Sequence, residues 1–557
     1  MWPPDVRFET GPGAGKVFHG QYLVHPGEAA GAKTERCMIR LSWDTWRLAA
    51  LDKRLTIALL VLLLLAGAGL RFHNLGSQSL WRDEAISWHY VRDTTLPNLV
   101  STLIDDELHP PLWYIVLYLD RLGLGQSEFS LRFQAALSSL LLIPLGYVLG
   151  KRLFSPALGL INALLVALSP FLLRYAQEAR SYSFLALLAA ASFYALCRWQ
   201  SRPTTRRTLV FSVVMAAALY THHWAFFLLV AFNLCVLLWI VWGGGQGLLS
   251  KWLLANALIA VLYLPWLPIL LQQLSYDTSW MYSHEPPAQL LWLTFRAWTA
   301  SWRATPFFLL LIALAVLVAI TPWFFGAARL RRPDAQVLAV LIVCLIPIVS
   351  AIALSQRKPI YKPDRYTIIV YPAFSLLLAS GLAALRRPVL VAIAVCLVAG
   401  LWLRKDITYL SNATFSTARD AAAYVSSDVG PQDVLVFAPD PIGQSFDYYY
   451  AGDQFSIGYA NWDGPRRWHI ATWVDAWFEP GILDRTLAQI DSHLADGACL
   501  WLVYTPGPIA VPGAEHAVEE LRQSLGARYT LRHTEVFPEM FEYMDVDRYC
   551  GRAVDQS

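Results

Sequence analysis

The sequence predicts a mainly α-helical, polytopic membrane protein of about eleven spans, with a small α/β domain at its C-terminal end. Three observations predict it. Only 15% of the 557 residues are charged while 56% are hydrophobic, and mean hydropathy is +0.41; a soluble domain carries about 25% charged residues. Charge-free apolar runs recur from residue 55 to residue 403. Beyond residue 405 they give way to amphipathic helical stretches alternating with short buried-strand patterns. A net charge of +3 is too small to suggest nucleic acid as a partner, and 23 tryptophans suit a chain with many interfacial belts.

Residues 1–50 are mixed polar, rich in Gly and Pro and without periodicity, and read as a disordered leader. Gly11-Pro-Gly-Ala-Gly-Lys16 is no phosphate loop: it is one residue short between its glycines and lacks the Ser or Thr after the lysine. No apolar stretch here suits a signal peptide. Met38, which leads into the first span, is a plausible start.

The first span is residues 55–70, with Arg71 expected to snorkel to the interface. Further charge-free runs cover 133–150, 155–173, 181–197, 208–242 (long enough for two spans), 252–272, 304–325, 335–355, 366–385 and 388–403. Residues 112–122 are too short to cross and end in Asp120-Arg121. Placing them along the interface puts Lys151-Arg152, Arg198, Arg202, Arg206, Arg207, Lys251, the Arg329/Arg331/Arg332 cluster and Arg386-Arg387 in the cytoplasm; counting them as a span would put all of these outside. The interfacial reading follows. It places 71–131, 174–180, His222-His223, 273–303, 356–365 and everything after 404 together on the outer face. One of these loops, Arg357-Lys358-Pro-Ile-Tyr-Lys362-Pro-Asp-Arg365-Tyr366, is basic on the wrong side, which an anionic ligand at the membrane surface would explain.

The domains are therefore the leader at 1–50, a membrane domain at 51–405 and an extracytoplasmic domain at 406–557. In the last, helices are predicted at 416–425, 483–494 and 517–525, and strands at 433–438, 498–504 and near Tyr529. Asn412-Ala-Thr414 matches a glycosylation acceptor. Cys197, Cys235, Cys344 and Cys396 read as small buried hydrophobes; Cys499 and Cys550 would pair in an oxidising compartment, which the sequence leaves open.

The chemistry gathers in the outer loops. Ser79-Leu-Trp-Arg82-Asp83-Glu84 sets two adjacent carboxylates beside an arginine and between tryptophans. Adjacent acids repel and cost solvation energy, so next to a membrane they suggest a function. His109-Pro110-Pro111-Leu-Trp-Tyr, Ser127-Glu128-Phe-Ser-Leu-Arg132, Gln177-Glu178-Ala-Arg180-Ser-Tyr182 and Tyr220-Thr-His222-His223-Trp224 follow in order. In this order and topology the chain resembles the polytopic GT-C glycosyltransferases, and more closely the bacterial glycosyltransferase family 39 branch related to protein O-mannosyltransferases and aminoarabinose transferases. The resemblance covers roughly residues 50–405.

That resemblance implies a transferase taking a sugar from a polyprenyl-phosphate carrier at the outer face of the inner (cytoplasmic) membrane and passing it to a glycan, lipid or protein acceptor. Asp83 is then the reaction-centre carboxylate, with Glu84 beside it and Glu178 as a further carboxylate. Inverting sugar transfer needs a base for the acceptor's proton and positive charge for the departing phosphate. Arg365, Lys362, Lys358 and Arg180 are the phosphate-binding candidates, with Arg82, Tyr182 and Tyr366 as further site candidates. His109, His222 and His223 form a polar group that, with Asp83 and Glu178, would be a place for a divalent cation (Mg or Mn); no cofactor is required. Two competing readings are a transporter or flippase of lipid-linked sugars and an oligosaccharide ligase or polymerase. Transporters place ionisable groups at the midplane, in broken helices, whereas here the spans are nearly charge-free.

Overall fold

In the computed structural model the described residues are 52–242, 247–276, 285–301, 303–325, 335–412, 415–459, 479–505, 514–538 and 542–552, all within one compact unit, Cys37–Ser557. The leader, Met38, the Arg329/Arg331/Arg332 cluster and Thr414 of the glycosylation acceptor lie outside the described residues.

The helices in the first half are α1 (Lys53–Phe72), α2 (Arg82–Val91), α3 (Leu96–Asp106), α4 (Leu112–Leu124), α5 (Glu128–Leu153), α6 (Pro156–Ala167), α7 (Pro170–Ala176), α8 (Tyr182–Ser201), α9 (Thr205–Leu219) and α10 (Ala225–Val241). They are followed by α11 (Leu248–Tyr263), α12 (Leu267–Gln273), α13 (Pro287–Thr299), α14 (Thr305–Phe325), α15 (Ala335–Ser355), α16 (Tyr371–Ala384), which a 3-10 turn precedes, and α17 (Pro388–Asn412). Among the described residues seven helices are long and apolar enough to cross a membrane, or eight if the bent pair α6–α7 counts as one span. The chain is a multi-pass membrane protein. Each charge-free run falls on a helix, but α9 and α10 are shorter than a full span, so seven or eight rather than about eleven spans are seen among the described residues. Helix α4, at 13 residues, is too short to span and buries one face through Trp113, Tyr114 and Leu117.

Arg71 does not snorkel, contrary to the sequence reading. It is fully buried, and its guanidinium donates to the carbonyls of Val166 and Ala167 at 2.9 Å each and to Ser139 Oγ at 2.9 Å. The reason lies in the 54° bend between α6 and α7. Pro170 has no N–H to return to the Val166 carbonyl, and the bend takes the next N–H away from Ala167. In lipid those carbonyls have no water to turn to. Arg71 supplies the missing donors from the neighbouring helix.

Helix α17 runs past residue 405 to Asn412 before the chain enters the terminal domain. That domain consists of α18 (Ala418–Asp428), β1 (Val434–Ala438), α19 (Ile442–Tyr449), β2 (Ser456–Gly458), α20 (Ile482–His493), β3 (Cys499–Tyr504), α21 (Ala514–Arg528), β4 (Tyr529–Glu535) and β5 (Asp545–Arg552). The sheet order is β2-β1-β3-β5-β4, parallel at β2-β1-β3 and antiparallel at β3-β5-β4. Period-two alternation divides its core. Val434, Val436, Leu500 and Leu502 face α20 and α21, while Leu435, Phe437, Trp501 and Val503 face α18 and α19. Two covered faces explain why β1 and β3 read as unbroken apolar runs. Cys499 and Cys550, directly opposite on β3 and β5, form a disulfide.

Candidate active site

Loops from the same end of the bundle meet around α2. Its acids have opposite fates. Glu84 is 1% exposed and grips Arg132 of α5 through two parallel hydrogen bonds of 2.7 Å, while its Oε1 also accepts from the Ala179 N–H at 2.8 Å. Arg132 goes on to donate to the carbonyls of Leu75, Gln78 and Ser79. Every strong hydrogen-bonding direction of Glu84 is thereby occupied, which suits it to anchor the loop.

Asp83, one residue earlier, turns to the other side. Its Oδ2 accepts from Arg365 Nη1 at 2.7 Å, across 282 positions of sequence, and 18% of its side chain stays exposed. The Arg365 guanidinium lies over the Trp81 ring, 5.0 Å from its centroid. Arg180 donates to the Asp83 carbonyl at 3.3 Å and to Ser87 Oγ at 3.2 Å. Burial pushes the Asp83 carboxyl up, but Arg365, Arg180, Arg82 and Lys362 outweigh it and hold it down at about 2. Lys362 is also brought down, to about 8, by burial and by Arg365, against the pull of Asp83. Lys358 is committed elsewhere: its ammonium donates to the carbonyls of Leu274 and Tyr276.

Glu178 pairs with Arg174 of α7 at 3.3 Å and not with Arg180. Burial pushes its carboxyl up to about 7, with Arg174 and Arg365 holding it back and Glu84 and Asp83 adding to the rise. A group neutral in the fold at pH 6 and ionised in the unfolded chain makes the native state the better proton binder between about pH 4.5 and 7, so stability falls as pH rises through that window. We expect Glu178→Gln to flatten this slope. Thermal melting at pH 5 and pH 8 checks it: the Tm of the wild type should fall more between the two than that of the variant.

The histidines are brought together, but each has its own partner. His109 Nδ1 sits 2.7 Å from Glu107 Oε1, and Glu107 also accepts from the Leu108 N–H and from Tyr114 Oη. Burial pushes the Glu107 carboxyl up, yet His109, Arg180 and Tyr114 bring it down to about 2. His223 Nε2 faces two acceptors, the Leu108 carbonyl at 3.0 Å and Gln273 Oε1 at 3.2 Å, so it carries the proton. Burial and His109 hold His223 down at about 4. The His222 ring stacks edge-on against His109 at 4.9 Å and Tyr366 at 4.6 Å, and Tyr182 joins this aromatic wall 6.4 Å from Tyr366. Among the described residues no three His, Cys, Asp or Glu side chains are arranged to hold a metal ion. The three histidines lie together, and each holds a partner of its own.

Residues of the C-terminal domain cover one side of the site. Tyr449 Oη accepts from the Leu80 N–H at 2.7 Å, Glu542 Oε2 accepts from the Arg82 N–H at 2.5 Å, and Arg419 pairs with Glu128 at 2.6 Å. A cavity of about 820 Å³, lined by Arg174, Arg296, Arg303, Asp364, Lys405 and Tyr409 among others, reaches this cluster through Arg174 and Asp364, not through Asp83 itself.

Residues 108–269 match the family described as dolichyl-phosphate-mannose-protein mannosyltransferase. No curated protein matches the chain by sequence. Among solved structures, ArnT from Cupriavidus metallidurans bound to undecaprenyl phosphate superposes with a TM-score of 0.55 at 14% identity, over 89% of this chain and 98% of that one. The fold is that of the GT-C glycosyltransferases. The same ArnT in its apo state gives 0.54 at 14% identity, over 88% and 98%. The Archaeoglobus fulgidus oligosaccharyltransferase complex with Zn and sulfate gives 0.50 at 14% identity, over 80% and 68%. Within this GT-C fold the sequence-predicted Asp83, Arg365 and Arg180 come together, while sequence reasoning assigned no role to Glu107, Arg132, Arg174 or Glu542. Glu107 had a faint signal, a carboxylate two residues before His109. Glu542 had none, since its contact spans 460 positions.

Proposed function

We propose that this protein transfers a sugar from a polyprenyl-phosphate carrier to a cell-envelope acceptor, with Asp83 and Arg365 at the reaction centre. The observation that carries this reading is the Asp83–Arg365 pair, at 2.7 Å, in the polar end of an otherwise apolar bundle of GT-C fold. In the resting protein the two groups neutralise each other, and a carboxylate held at about 2 is a weak base. An arriving donor phosphate would compete for Arg365 and draw it off. Asp83 would then lose its strongest stabilising charge, and its basicity would rise where the acceptor hydroxyl must be deprotonated.

The step balances as a displacement. The acceptor oxygen forms a bond to the anomeric carbon, and the bond from that carbon to the phosphate oxygen breaks with its electron pair. The acceptor proton passes to Asp83, and Arg365 with Lys362 stabilises the charge on the departing polyprenyl phosphate. Acceptor and sugar are not specified by these residues.

The site and the C-terminal domain belong on the extracytoplasmic face of the inner membrane. The distribution of Lys and Arg between the two ends of the bundle supports that orientation, and so does the Cys499–Cys550 disulfide, a bond that persists in oxidising compartments. The test is Arg365→Ala beside Arg206→Ala, an exposed arginine at the opposite end. We expect Arg365→Ala to lower kcat/KM for polyprenyl-phosphomannose or polyprenyl-phosphoarabinose by about 10²–10³-fold and Arg206→Ala to leave it unchanged. Equal effects at both positions would remove Arg365 from the reaction centre.

A further inference from the structure

The C-terminal domain holds the one helix on which the reacting carboxylate sits, and it does so through a carboxylate of its own. Glu542 Oε2 accepts from the N–H of Arg82, the first residue of α2, at 2.5 Å. The first N–H groups of a helix have no partner inside it, and the helix dipole favours negative charge there. Asp83 is the next residue along. Two residues before Arg82, the Leu80 N–H donates to Tyr449 Oη at 2.7 Å, and the Trp88 ring packs edge-on against Tyr448 at 5.0 Å. Tyr448 Oη in turn donates to the Gln126 carbonyl, while Trp88 Nε1 donates to the Gln126 side chain. Helix α2 is thus clamped along its length by residues of the terminal domain.

Glu542 is itself pinned. Its N–H donates to the Phe415 carbonyl at 2.8 Å, and its own carbonyl accepts from the Thr417 N–H at 3.3 Å, forming a parallel bridge to Ser416. Residues 415–417 lead into α18. The bridge and the Glu542 side chain therefore link the start of the terminal domain to the N-terminus of α2. The second carboxylate oxygen, Oε1, is shielded from solvent and has no hydrogen-bond partner among the described residues. Burial pushes the carboxyl up to about 7 against the pull of Arg82, with Asp83 and Glu84 adding to the rise. A surface tether would place such a group in water; here it is kept, uncomfortably, beside the reacting carboxylate.

We propose that Glu542 is a positioning residue for the transfer reaction, setting the N-terminus of α2 and hence the aim of Asp83, so that the terminal domain acts as part of the catalytic apparatus. The inference rests on the transfer reading given above. A displacement reaction tolerates little misplacement of its base, and an error of about 1 Å can cost about 10²-fold in rate.

The experiment compares Glu542→Ala and Glu542→Gln in the full chain, reconstituted in nanodiscs. It reads polyprenyl phosphate released from polyprenyl-phosphomannose and polyprenyl-phosphoarabinose, with a cell-envelope extract as acceptor mixture. Glu542→Ala should lower kcat by about 10- to 100-fold and leave the donor KM within about threefold, because no donor contact is lost. Glu542→Gln should recover most of kcat, since its amide oxygen still accepts from the Arg82 N–H. Hydrogen exchange supplies a readout free of activity: amides at the start of α2 should exchange faster in Glu542→Ala but not in Glu542→Gln. Unchanged α2 exchange and unchanged kcat in Glu542→Ala would overturn the proposal. So would equal loss in both variants together with a lowered Tm, the mark of a merely structural contact. If the wild type releases no polyprenyl phosphate from either probe, the transfer reading fails, and α2 exchange still decides whether Glu542 positions the helix.

Discussion

Asp83→Asn is expected to insert and fold like the wild type while losing transfer by about 10³-fold or more. The asparagine carbonyl oxygen can still accept from Arg365 Nη1, so the contact across 282 positions survives without its charge. What is lost is the ability to take a proton, and Asp83 is the acid best placed to do so. Glu84 is closed off by Arg132 and the Ala179 N–H, and Glu178 is 2% exposed and turned to Arg174. Equal melting temperatures with lost release of polyprenyl phosphate would support this account. A folded Asp83→Asn protein that still turns over at the wild-type rate would move the base elsewhere.

The second large effect is on folding. Removing one partner of a buried ion pair strands the other charge, at a cost of about 3–5 kcal/mol. Both partners of the Glu84–Arg132 pair are 1% exposed, so Arg132→Ala should accumulate poorly or melt far below the wild type. The double variant Glu84→Gln with Arg132→Met leaves no stranded charge and should recover roughly half of that loss. The rest stays lost because the Leu75, Gln78 and Ser79 carbonyls still lack their donor. Activity separates the two roles open to Glu84. As an anchor it permits measurable transfer in the folded double variant, whereas a catalytic Glu84 would leave that variant as inactive as Asp83→Asn.

The spans were legible because lipid imposes one rule, long apolar runs without charge, and α1, α5 and α15 obey it locally. The buried strands β1 and β3 were legible for a related reason: both faces are covered, so every residue is apolar. Counting spans against the positive charges placed the loops of Asp83 and Arg365 at one end of the bundle, and the two side chains meet there. What sequence could not show was which carboxylate of an adjacent pair turns which way. Asp83 and Glu84 differ by about 100° around a helix, and only the position of Arg132 on α5 and Arg365 before α16 decides their roles. Arg71 misled for a similar reason. An arginine at the end of a span usually reaches for the interface, but here a broken neighbour offers unpaired carbonyls closer at hand. Glu542 was missed because its partner comes from tertiary packing, for which no local pattern exists; the side-chain partners of Glu107 lie within seven residues, and only their burial in the fold gives them weight.

The most direct measurement follows a sugar label on polyprenyl-phosphomannose or polyprenyl-phosphoarabinose in sealed vesicles containing the purified protein and a cell-envelope extract. The label should leave the lipid phosphate, free polyprenyl phosphate should appear in step, and Asp83→Asn should stop both. Label that crosses the bilayer still attached to its lipid, with no phosphate released and no effect of Asp83→Asn, would contradict the account and make the protein a carrier of lipid-linked sugars.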